Sequence, residues 1–454
     1  MTINKNQIVE LEITGMSHDG TGIGRFNGLA VFVPLSAIGD VIKVKILKVE
    51  KNRAFGKIES LISPSKDRID SICPVFNKCG GCVYHHISYE AELKLKWQRV
   101  KDSINRIGGI GIIPDDIIPA ENTESYRNKA EYPVSADKNG NIITGFYAPH
   151  THSIISFDRC YIQNPIADSV RKIVQGFMDT YKISAYDEKT GNGLVRHIFV
   201  RTGTVSGEVM VMLVINGRAL PYSDKLISLL CKEVDGIVSI CINVNKKSTN
   251  VILGEKFITL YGKDAISDVL CGLKFNISAP AFYQVNHDQC EKLYSKALDF
   301  AGVSKNDICV DLFCGIGTIT LLLAKYAKYV YGIEIVPEAI EDAKNNARLN
   351  NINNVEFICE SAENAAFKLK EKGVMPDVLT VDPPRKGLTP PLIDTIVDMK
   401  PHRIVYVSCD PATLARDLAV FSEKGYKTVS VAPVDMFPRT SHVETVVLMS
   451  RVKE

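Results

Sequence analysis

The sequence has no uninterrupted apolar run long enough to cross a bilayer, and its first residues lack the apolar core of a signal peptide. These absences predict a soluble cytoplasmic protein that does not enter a membrane. No charge of one sign predominates, because 54 basic residues stand against 52 acidic ones. Composition alone therefore does not indicate a nucleic-acid binder. Apolar residues make up 45% of the chain and charged residues 23%, which is typical of globular domains and excludes general disorder.

Three regions of different patterning follow one another along the 454 residues. Residues 1–63 form short alternating runs separated by glycine-containing turns, which predicts a small, OB-like closed β-barrel. Residues 64–275 open with a cysteine cluster and a helix predicted over 89–107, and they indicate a central α+β domain. Residues 276–454 alternate apolar strands with helical patterns, which predicts a Rossmann-like parallel sheet with helices on both faces.

Positive charge is concentrated in one segment, which we call the basic stripe. Between Lys43 and Arg68 it contains eight basic residues and three acidic ones, the basic ones being Lys43, Lys45, Lys48, Lys51, Arg53, Lys57, Lys66 and Arg68. A local stripe can hold phosphate groups while the whole protein stays near neutrality. A solvated strand face explains the pattern equally well.

The third region carries a nucleotide-type motif that lacks two features of common nucleotide sites. Asp311–Gly317 ends a predicted strand and opens a helix, and its glycines allow a ligand to approach the backbone. Glu334 ends the next strand, where a carboxylate can accept hydrogen bonds from both ribose hydroxyls. The third glycine of a dinucleotide fingerprint and the lysine of a P-loop are missing, so S-adenosylmethionine fits better than NAD or ATP. Asp382, which opens Asp382–Gly387, follows the fourth strand, where open α/β sheets place their sites.

Cys409 ends the fifth predicted strand just before a predicted helix, a position that suggests a nucleophile. A thiol near a helix start can have its pKa lowered by amide dipoles. A methyltransferase needs a thiolate when its target is carbon 5 of uracil, because addition at carbon 6 makes carbon 5 nucleophilic. A general base must then remove the carbon-5 proton. Glu444 is the predicted base and His442 is its rival, while ordinary structural positions are the alternative for all three.

Together these residues resemble the RNA (uracil-5-)-methyltransferase family over essentially the whole chain. The resemblance is strongest in Asp311–Gly317, Asp382–Gly387, Val407–Asp417 and Phe437–Glu444. It implies a class I methyltransferase fold with Cys409 as nucleophile and Glu444 as base. It also implies that S-adenosylmethionine is contacted by Gln284, Phe313, Glu334 and Asp382.

The amino-terminal barrel resembles the TRAM domain, an RNA-binding module of the ribosomal RNA branch that the transfer RNA branch typically lacks. The resemblance therefore implies 23S ribosomal RNA as the substrate, with transfer RNA as the alternative. Two positions depart from the family pattern. Asp410 stands where many members have asparagine, and Arg439 stands where many have histidine. Neither change alters the reaction class, but both bear on RNA contacts and substrate choice.

A cysteine cluster opens the central region. Cys73, Cys79 and Cys82 are close in sequence, and Cys160 is a plausible fourth member. Four thiolates can hold zinc or a [4Fe-4S] cluster, and the spacing alone leaves the two equal. The family resemblance, which matches all four cysteines, favours [4Fe-4S], with the role of fixing the central region and presenting RNA-facing loops. Unligated cysteines are the remaining alternative.

The expected partner is ribosomal RNA in which the target uridine is unpaired or flipped out, because carbon 5 of a stacked base is inaccessible. The basic stripe, with Arg385, Lys386 and Arg416, is expected to hold phosphates, and the protein is expected to act as a monomer. Two rival functions remain. One is a non-catalytic RNA-binding iron–sulfur assembly factor. The other is a small-molecule or protein methyltransferase, which the barrel and the thiol disfavour.

Overall fold

A computed structural model of the chain describes residues 3–249 and 251–452. The outermost residues of the predicted first and third regions, 1–2 and 453–454, lie outside the described residues. In the described ranges no helix is both long and apolar enough to span a bilayer.

The amino-terminal strands form a closed barrel in the order β1-β2-β3-β5-β4, which confirms the predicted barrel. The strands are β1 (Ile8–Met16), β2 (Gly22–Phe26), β3 (Leu29–Val33), β4 (Val41–Val49) and β5 (Arg53–Ser63). Alternate residues face inward because successive side chains of a strand point to opposite sides. The barrel core accordingly contains Val9, Leu11 and Ile13 of β1 and Ile42, Val44 and Ile46 of β4.

The same alternation turns part of the basic stripe outward. Lys45 of β4 lies opposite Lys57 of β5, and both point away from the barrel core. Arg68 differs, because its guanidinium donates hydrogen bonds to the buried carboxylate of Asp40 and to the carbonyl oxygen of Leu35. Arg68 therefore connects the barrel to the segment that follows it. Its guanidinium is occupied by these contacts, so the expectation that it holds a phosphate was wrong.

Helix α1 (Tyr89–Arg106) follows the cysteine segment and ends within one residue of the prediction. The hydroxyl of Ser88 caps its start by accepting from the amide of Ala91 at 3.2 Å. Val100 and Ile104 bury one face of α1 in the same apolar cluster as Leu414 and Leu418 of the carboxyl-terminal sheet domain. The helix thus joins the central region to that domain.

The central region combines helices with a mixed sheet in the order β13-β12-β11-β10-β6-β7. Its elements are β6 (Lys129–Ala136), β7 (Ile142–Thr144), β8 (Phe146–Tyr147), β9 (Ile154–Ile155), α2 (Pro165–Tyr181), β10 (Val195–Thr202), β11 (Val209–Ile215), α3 (Ser223–Glu233), β12 (Ile237–Val244) and β13 (Lys256–Gly262). The run 142–147, predicted as one strand, is divided at Gly145. A side chain there would meet the carbonyl oxygen of Ile155 at 2.0 Å, so only glycine fits.

The carboxyl-terminal sheet has the order β18-β17-β16-β19-β20-β22-β21, and all its pairs are parallel except those of β22. This confirms the predicted Rossmann-like sheet, which two antiparallel strands extend at one edge. The elements are β14 (Ala265–Leu270), β15 (Leu273–Ser278), α4 (His287–Ala301), β16 (Ile308–Leu312), α5 (Thr318–Ala324), β17 (Tyr329–Glu334), α6 (Pro337–Leu349), β18 (Val355–Cys359), α7 (Ala362–Glu371), β19 (Val378–Val381), α8 (Pro390–Asp398), β20 (Arg403–Ser408), α9 (Pro411–Glu423), β21 (Tyr426–Val434) and β22 (Glu444–Arg451).

Two features at the start of this domain differ from the expectation. The boundary at 275/276 falls inside β15, whose hairpin with β14 binds α6 through a 2.8 Å hydrogen bond from the Asn276 amide to the Asn346 side chain. Helix α4 was not predicted. Its signals were present, because Asn286 caps its start, Gly302 ends it in the left-handed region, and buried residues recur at helical spacing.

Candidate active site

A pocket of about 910 Å³ opens at the carboxyl ends of the parallel strands. This is the edge where open α/β sheets place their ligands. Every predicted catalytic and S-adenosylmethionine-contacting residue lines it: Gln284, Phe313, Glu334, Asp382, Cys409 and Glu444. Phe313, Asp382 and Cys409 directly follow β16, β19 and β20. Glu334 is the last residue of β17, Glu444 is the first residue of β22, and Gln284 lies between β15 and α4.

The loop after β16 is held from below by a buried carboxylate. The two oxygens of Asp311 accept hydrogen bonds from Thr320 at 2.6 Å and from Thr380 at 2.7 Å, which ties β16 to α5 and β19. Burial raises the pKa of Asp311 to about 6 although both hydroxyls act against that shift. The loop above it bends through positive φ angles at Phe313 and Gly315, and both residues line the pocket.

Glu334 also holds the loop after β16 in place by accepting a hydrogen bond from its backbone. One carboxylate oxygen accepts from the amide of Gly315 at 3.2 Å, and the other accepts from the amides of Ile335 and Val336 at 2.8 and 3.0 Å. The carboxylate is therefore oriented before any ligand binds. Its remaining acceptor capacity suits the hydroxyls of a ribose.

Asp382 and Gln284 close the inner end of the pocket. Burial, with a smaller contribution from Asp311, raises the pKa of Asp382 to about 7. Gln284 is buried, and its backbone carbonyl accepts from the side-chain amide of Asn128 at 3.0 Å. The central region thus positions one wall of the pocket.

Cys409 and Glu444 become neighbours through the register of β20 with β22. Ser408 pairs with Thr445 in this antiparallel ladder, so the next pair in the same register is Cys409 with Glu444. Residues opposite each other in an antiparallel pair point to the same face. The two side chains therefore enter the pocket together, although 34 other residues separate them in the chain.

The thiol contradicts the expectation of a lowered pKa. Burial raises the pKa of Cys409 to about 11, and the nearby carboxyl groups of Glu444 and Asp382 raise it further than Arg385 lowers it. The amides at the start of α9 do not lower this pKa, because the side chain of Asp410 already accepts hydrogen bonds from them. The Asp410 carboxylate accepts from the amides of Ala412 and Thr413 at 2.9 and 3.1 Å.

The two rival bases differ in their surroundings. Burial, then Asp382, raises the pKa of Glu444 to about 8, with Arg385 acting in the opposite direction. Burial lowers the pKa of His442 to about 4, and the Arg385 guanidinium 3.5 Å away lowers it further. A group with a pKa near neutrality is the better proton acceptor, so the electrostatics favour Glu444.

Comparison with known proteins agrees with this geometry. The family model for tRNA (uracil-5-)-methyltransferase matches residues 88–452, and the TRAM domain model matches residues 4–58. The chain belongs to the tRNA (uracil-5-)-methyltransferase family. It is therefore an S-adenosylmethionine-dependent RNA methyltransferase, and its amino-terminal barrel is a TRAM domain.

Individual relatives resemble the chain over its whole length. Proteins named uncharacterized RNA methyltransferases from Clostridium tetani and Bacillus cereus are 46% and 45% identical, covering 99% and 100% of this chain and 97% and 98% of their own. The solved structure of the Pyrococcus abyssi tRNA (uracil-54, C5)-methyltransferase in complex with S-adenosyl-L-homocysteine matches with a TM-score of 0.78 at 28% identity. That match covers 97% of this chain and 99% of the archaeal one.

The two departures from the uracil-5-methyltransferase pattern have structural explanations. Asp410 caps α9, a task that asparagine performs equally well. Arg439 points away from the pocket, with its guanidinium 3.6 Å from the buried carboxylate of Glu92. Of the expected phosphate contacts, Arg385 and Lys386 line the pocket, whereas Arg416 is held by Asp417 at 2.7 Å and by the carbonyl of Lys386.

Phe282 and Arg127 are notable among the pocket residues that the sequence did not single out. Phe282 is 68% exposed at the rim, an unusual position for a large aromatic side chain. Phe282 lies two positions before Gln284, and this proximity in the sequence could have identified it as a pocket residue. Arg127 lines both the pocket and the cavity of the cysteines, and its guanidinium lies 5.8 Å from the Phe437 ring. No local pattern marks Arg127, because its position depends on contacts between distant segments.

The four predicted metal-ligating cysteines line a common cavity of about 210 Å³. They are Cys73, Cys79, Cys82 and Cys160. Burial raises the pKa of Cys82, and the proximity of Cys160 and Cys79 raises it further, so the thiols lie within electrostatic reach of one another. Among the described residues, however, no group of three or more histidine, cysteine, aspartate or glutamate side chains is arranged to hold a metal ion. Four thiols around one cavity are donors of the type that zinc and iron–sulfur clusters both take.

The Glu334 geometry predicts a specific loss of affinity. Glu334→Gln is expected to weaken S-adenosylhomocysteine binding about 10- to 100-fold, because a hydrogen bond to a charged group contributes about 1.5–3 kcal/mol. Isothermal titration calorimetry measures the effect. Glu360→Gln is the matched control, since Glu360 follows the neighbouring strand but pairs with Lys368 outside the pocket. Equal affinities of the two variants would contradict the assignment.

Proposed function

We propose that this RNA methyltransferase transfers the methyl group of S-adenosylmethionine to carbon 5 of a uridine in 23S ribosomal RNA. Cys409 acts as the nucleophile and Glu444 as the base. The observation that carries the proposal is the cross-strand placement of Cys409 beside Glu444 in the pocket that also contains Glu334 and Asp382. A methyltransferase acting on a nitrogen or oxygen atom has no use for a thiol in this position.

The reaction follows from the two side chains. The Cys409 thiol loses its proton to solvent, the thiolate bonds to carbon 6 of the uracil, and the electrons of the carbon 5–carbon 6 double bond move toward the ring carbonyl. Carbon 5 then displaces the methyl group from the sulfonium in line. Glu444 accepts the carbon-5 proton, the electrons of that C–H bond restore the double bond, and the C–S bond to Cys409 breaks.

The raised pKa values of the free pocket set the condition for this chemistry. With a pKa of about 11, Cys409 holds its proton at neutral pH in the free protein. S-adenosylmethionine, when bound, supplies the methyl group on a positively charged sulfur, and a positive charge lowers the pKa of neighbouring acids. The positive charge of Arg385 also lowers the pKa of Cys409 and that of Glu444. Ligand binding is thus coupled to ionisation of the nucleophile.

Two features support 23S ribosomal RNA as the substrate: the TRAM domain and the cysteine set of the resemblance. A transfer RNA uridine is the second candidate, and a specific observation favours it. The similarity to the archaeal tRNA (uracil-54, C5)-methyltransferase covers 97% of this chain, which is too much to leave out the barrel. A TRAM domain by itself therefore does not separate the two substrates.

We also propose that Cys73, Cys79, Cys82 and Cys160 hold a [4Fe-4S] cluster with a structural role. The cavity exceeds the volume of a single ion, and its aromatic lining, including Phe76, Phe146 and Phe157, excludes water from such a group. The methyl transfer requires no electron transfer. The cluster would instead hold the segment around Cys82 against that around Cys160.

Covalent trapping tests the nucleophile and the base. RNA containing 5-fluorouridine is expected to form a denaturation-resistant adduct with the wild-type protein, because fluorine at carbon 5 cannot leave as a proton. Cys409→Ser is expected to form none, whereas Cys359→Ser, which changes an exposed cysteine, retains the adduct. Glu444→Gln is expected to lower turnover roughly 10²- to 10⁴-fold. Absence of any wild-type adduct would favour the non-catalytic assembly factor.

A substrate comparison separates the two RNA classes. Unmodified 23S ribosomal RNA and transfer RNA transcripts are incubated with the protein and S-adenosylmethionine, and 5-methyluridine is mapped by mass spectrometry. We expect methylation of the ribosomal RNA and none of the transfer RNA. Preferential methylation of transfer RNA would establish the second candidate and contradict the first.

Metal analysis tests the cysteine proposal. Protein purified without oxygen is expected to contain iron and inorganic sulfide in equal amounts and to show broad visible absorption. Cys79→Ser is expected to lose both and to melt at a lower temperature. The matched change Cys231→Ser affects an exposed cysteine outside the cavity and leaves the absorption unchanged. Stoichiometric zinc without sulfide would overturn the assignment.

A further inference from the structure

The loop between β21 and β22, residues 435–443, delivers the proposed base to the pocket. It contains Phe437 and His442, which line the pocket, and it leads directly into Glu444. Irregular loops are normally the most mobile parts of a domain. A base must nevertheless be held close to its productive geometry, and displacements of about 1 Å can cost about 10²-fold in rate.

This loop is held by donors from other parts of the chain. Its successive carbonyl oxygens accept hydrogen bonds at residues 435, 436, 437, 438, 439 and 441. The donors are the side chains of Gln289, Asn286, Lys96, Tyr126 and Arg99 and the amides of Val83 and Tyr84. The loop conformation is therefore imposed by α1, α4 and the segments around the cysteine cavity.

Lys96 is the central donor of this set. Its ammonium group is 1% exposed and donates to Glu92 at 2.7 Å, to Asp435 at 2.6 Å and to the carbonyl oxygen of Phe437 at 3.1 Å. Glu92 also accepts from the amide of Arg439 at 2.7 Å. The buried Lys96–Glu92 pair on α1 thus holds both ends of the segment 435–439.

The charges of this group are mutually dependent. Glu92 and Asp435 are fully buried carboxylates that repel each other, and Lys96 lies between them. The guanidinium of Arg439 lies 3.6 Å from Glu92 and supplies the second positive charge. Tyr89 donates its hydroxyl proton to Asp435 at 2.6 Å. Loss of the Lys96 charge leaves Arg439 as the neighbouring cation for the two buried carboxylates and frees the backbone carbonyl of Phe437.

We propose that Lys96 is a positioning residue for the proton-removal step, acting through the loop 435–443 on Glu444. The inference rests on the proposed function, because it concerns the base of that reaction. Lys96 does not line the pocket, and neither the S-adenosylmethionine loop nor the segment before Cys409 is among its contacts. Its loss therefore acts selectively on the step that Glu444 performs.

The step concerned has a distinct intermediate. After methyl transfer, uracil carbon 5 carries the new methyl group and its original proton, while carbon 6 remains bonded to Cys409. Glu444 takes that proton, the C–H electrons restore the double bond, and the Cys409 thiolate leaves. A displaced Glu444 slows this elimination, so the methylated covalent adduct accumulates.

The test compares Lys96→Met with Lys94→Met under single-turnover conditions on uridine-containing RNA with radiolabelled S-adenosylmethionine. Lys94 is exposed on the same helix and serves as the matched control. For Lys96→Met we expect product release to fall roughly 10- to 100-fold, labelled adduct to accumulate on denaturing gels, and S-adenosylhomocysteine affinity to stay unchanged. Slower turnover without labelled adduct would assign Lys96 a merely structural role and overturn the inference.

A second variant protects the test against failure of Lys96→Met to fold. Tyr126→Phe removes only the hydroxyl that donates to the carbonyl of Pro438 at 2.9 Å, and no charge is left unbalanced. We expect the same labelled adduct at a smaller rate loss, and its absence would overturn the inference. Failure of the wild-type protein to form any 5-fluorouridine adduct would instead refute the proposed function itself.

Discussion

The register between β20 and β22 is the constraint on which the active site depends. Because Ser408 pairs with Thr445, the positions of Cys409 and Glu444 are fixed relative to each other by backbone hydrogen bonds. A slip of one residue would turn one of the two side chains to the opposite face of the sheet. The same register places Cys409 and Glu444 near Asp382 in the pocket. Burial raises the pKa of all three groups, and the proximity of Glu444 and Asp382 raises that of Cys409 further. In the proposed reaction, a cationic methyl donor in this pocket lowers these pKa values, so that donor binding and ionisation of Cys409 are coupled.

Much of the fold could be predicted because its signals are local. The strands of the carboxyl-terminal sheet follow apolar runs, and those of the barrel follow an alternation of polar and apolar residues, so both architectures could be predicted. The loop Asp311–Gly317 and Glu334 could also be predicted as a ligand-binding site. They lie at strand ends, and the periodicity of the sequence reveals where those strands end. Helix α4 carried comparable signals in Asn286 and Gly302 and could have been found.

What could not be predicted depends on contacts between distant segments. The pKa of Cys409 shifts upward because Glu444 and Asp382 face it, and neither is near it in sequence. Arg68 and Arg416 were expected to hold phosphates. In the structure, Arg68 forms a salt bridge with Asp40 and Arg416 forms one with Asp417. The position of Arg127 between two cavities likewise has no local sequence signal.

The loop before β22 depends on partners that are made before it. The groups that donate to its carbonyl oxygens, from Val83 to Gln289, all precede it in the sequence. During synthesis from the amino terminus, the loop therefore emerges after these donors. Because those between Val83 and Tyr126 lie outside the carboxyl-terminal sheet domain, that domain alone lacks part of what holds the segment before Glu444.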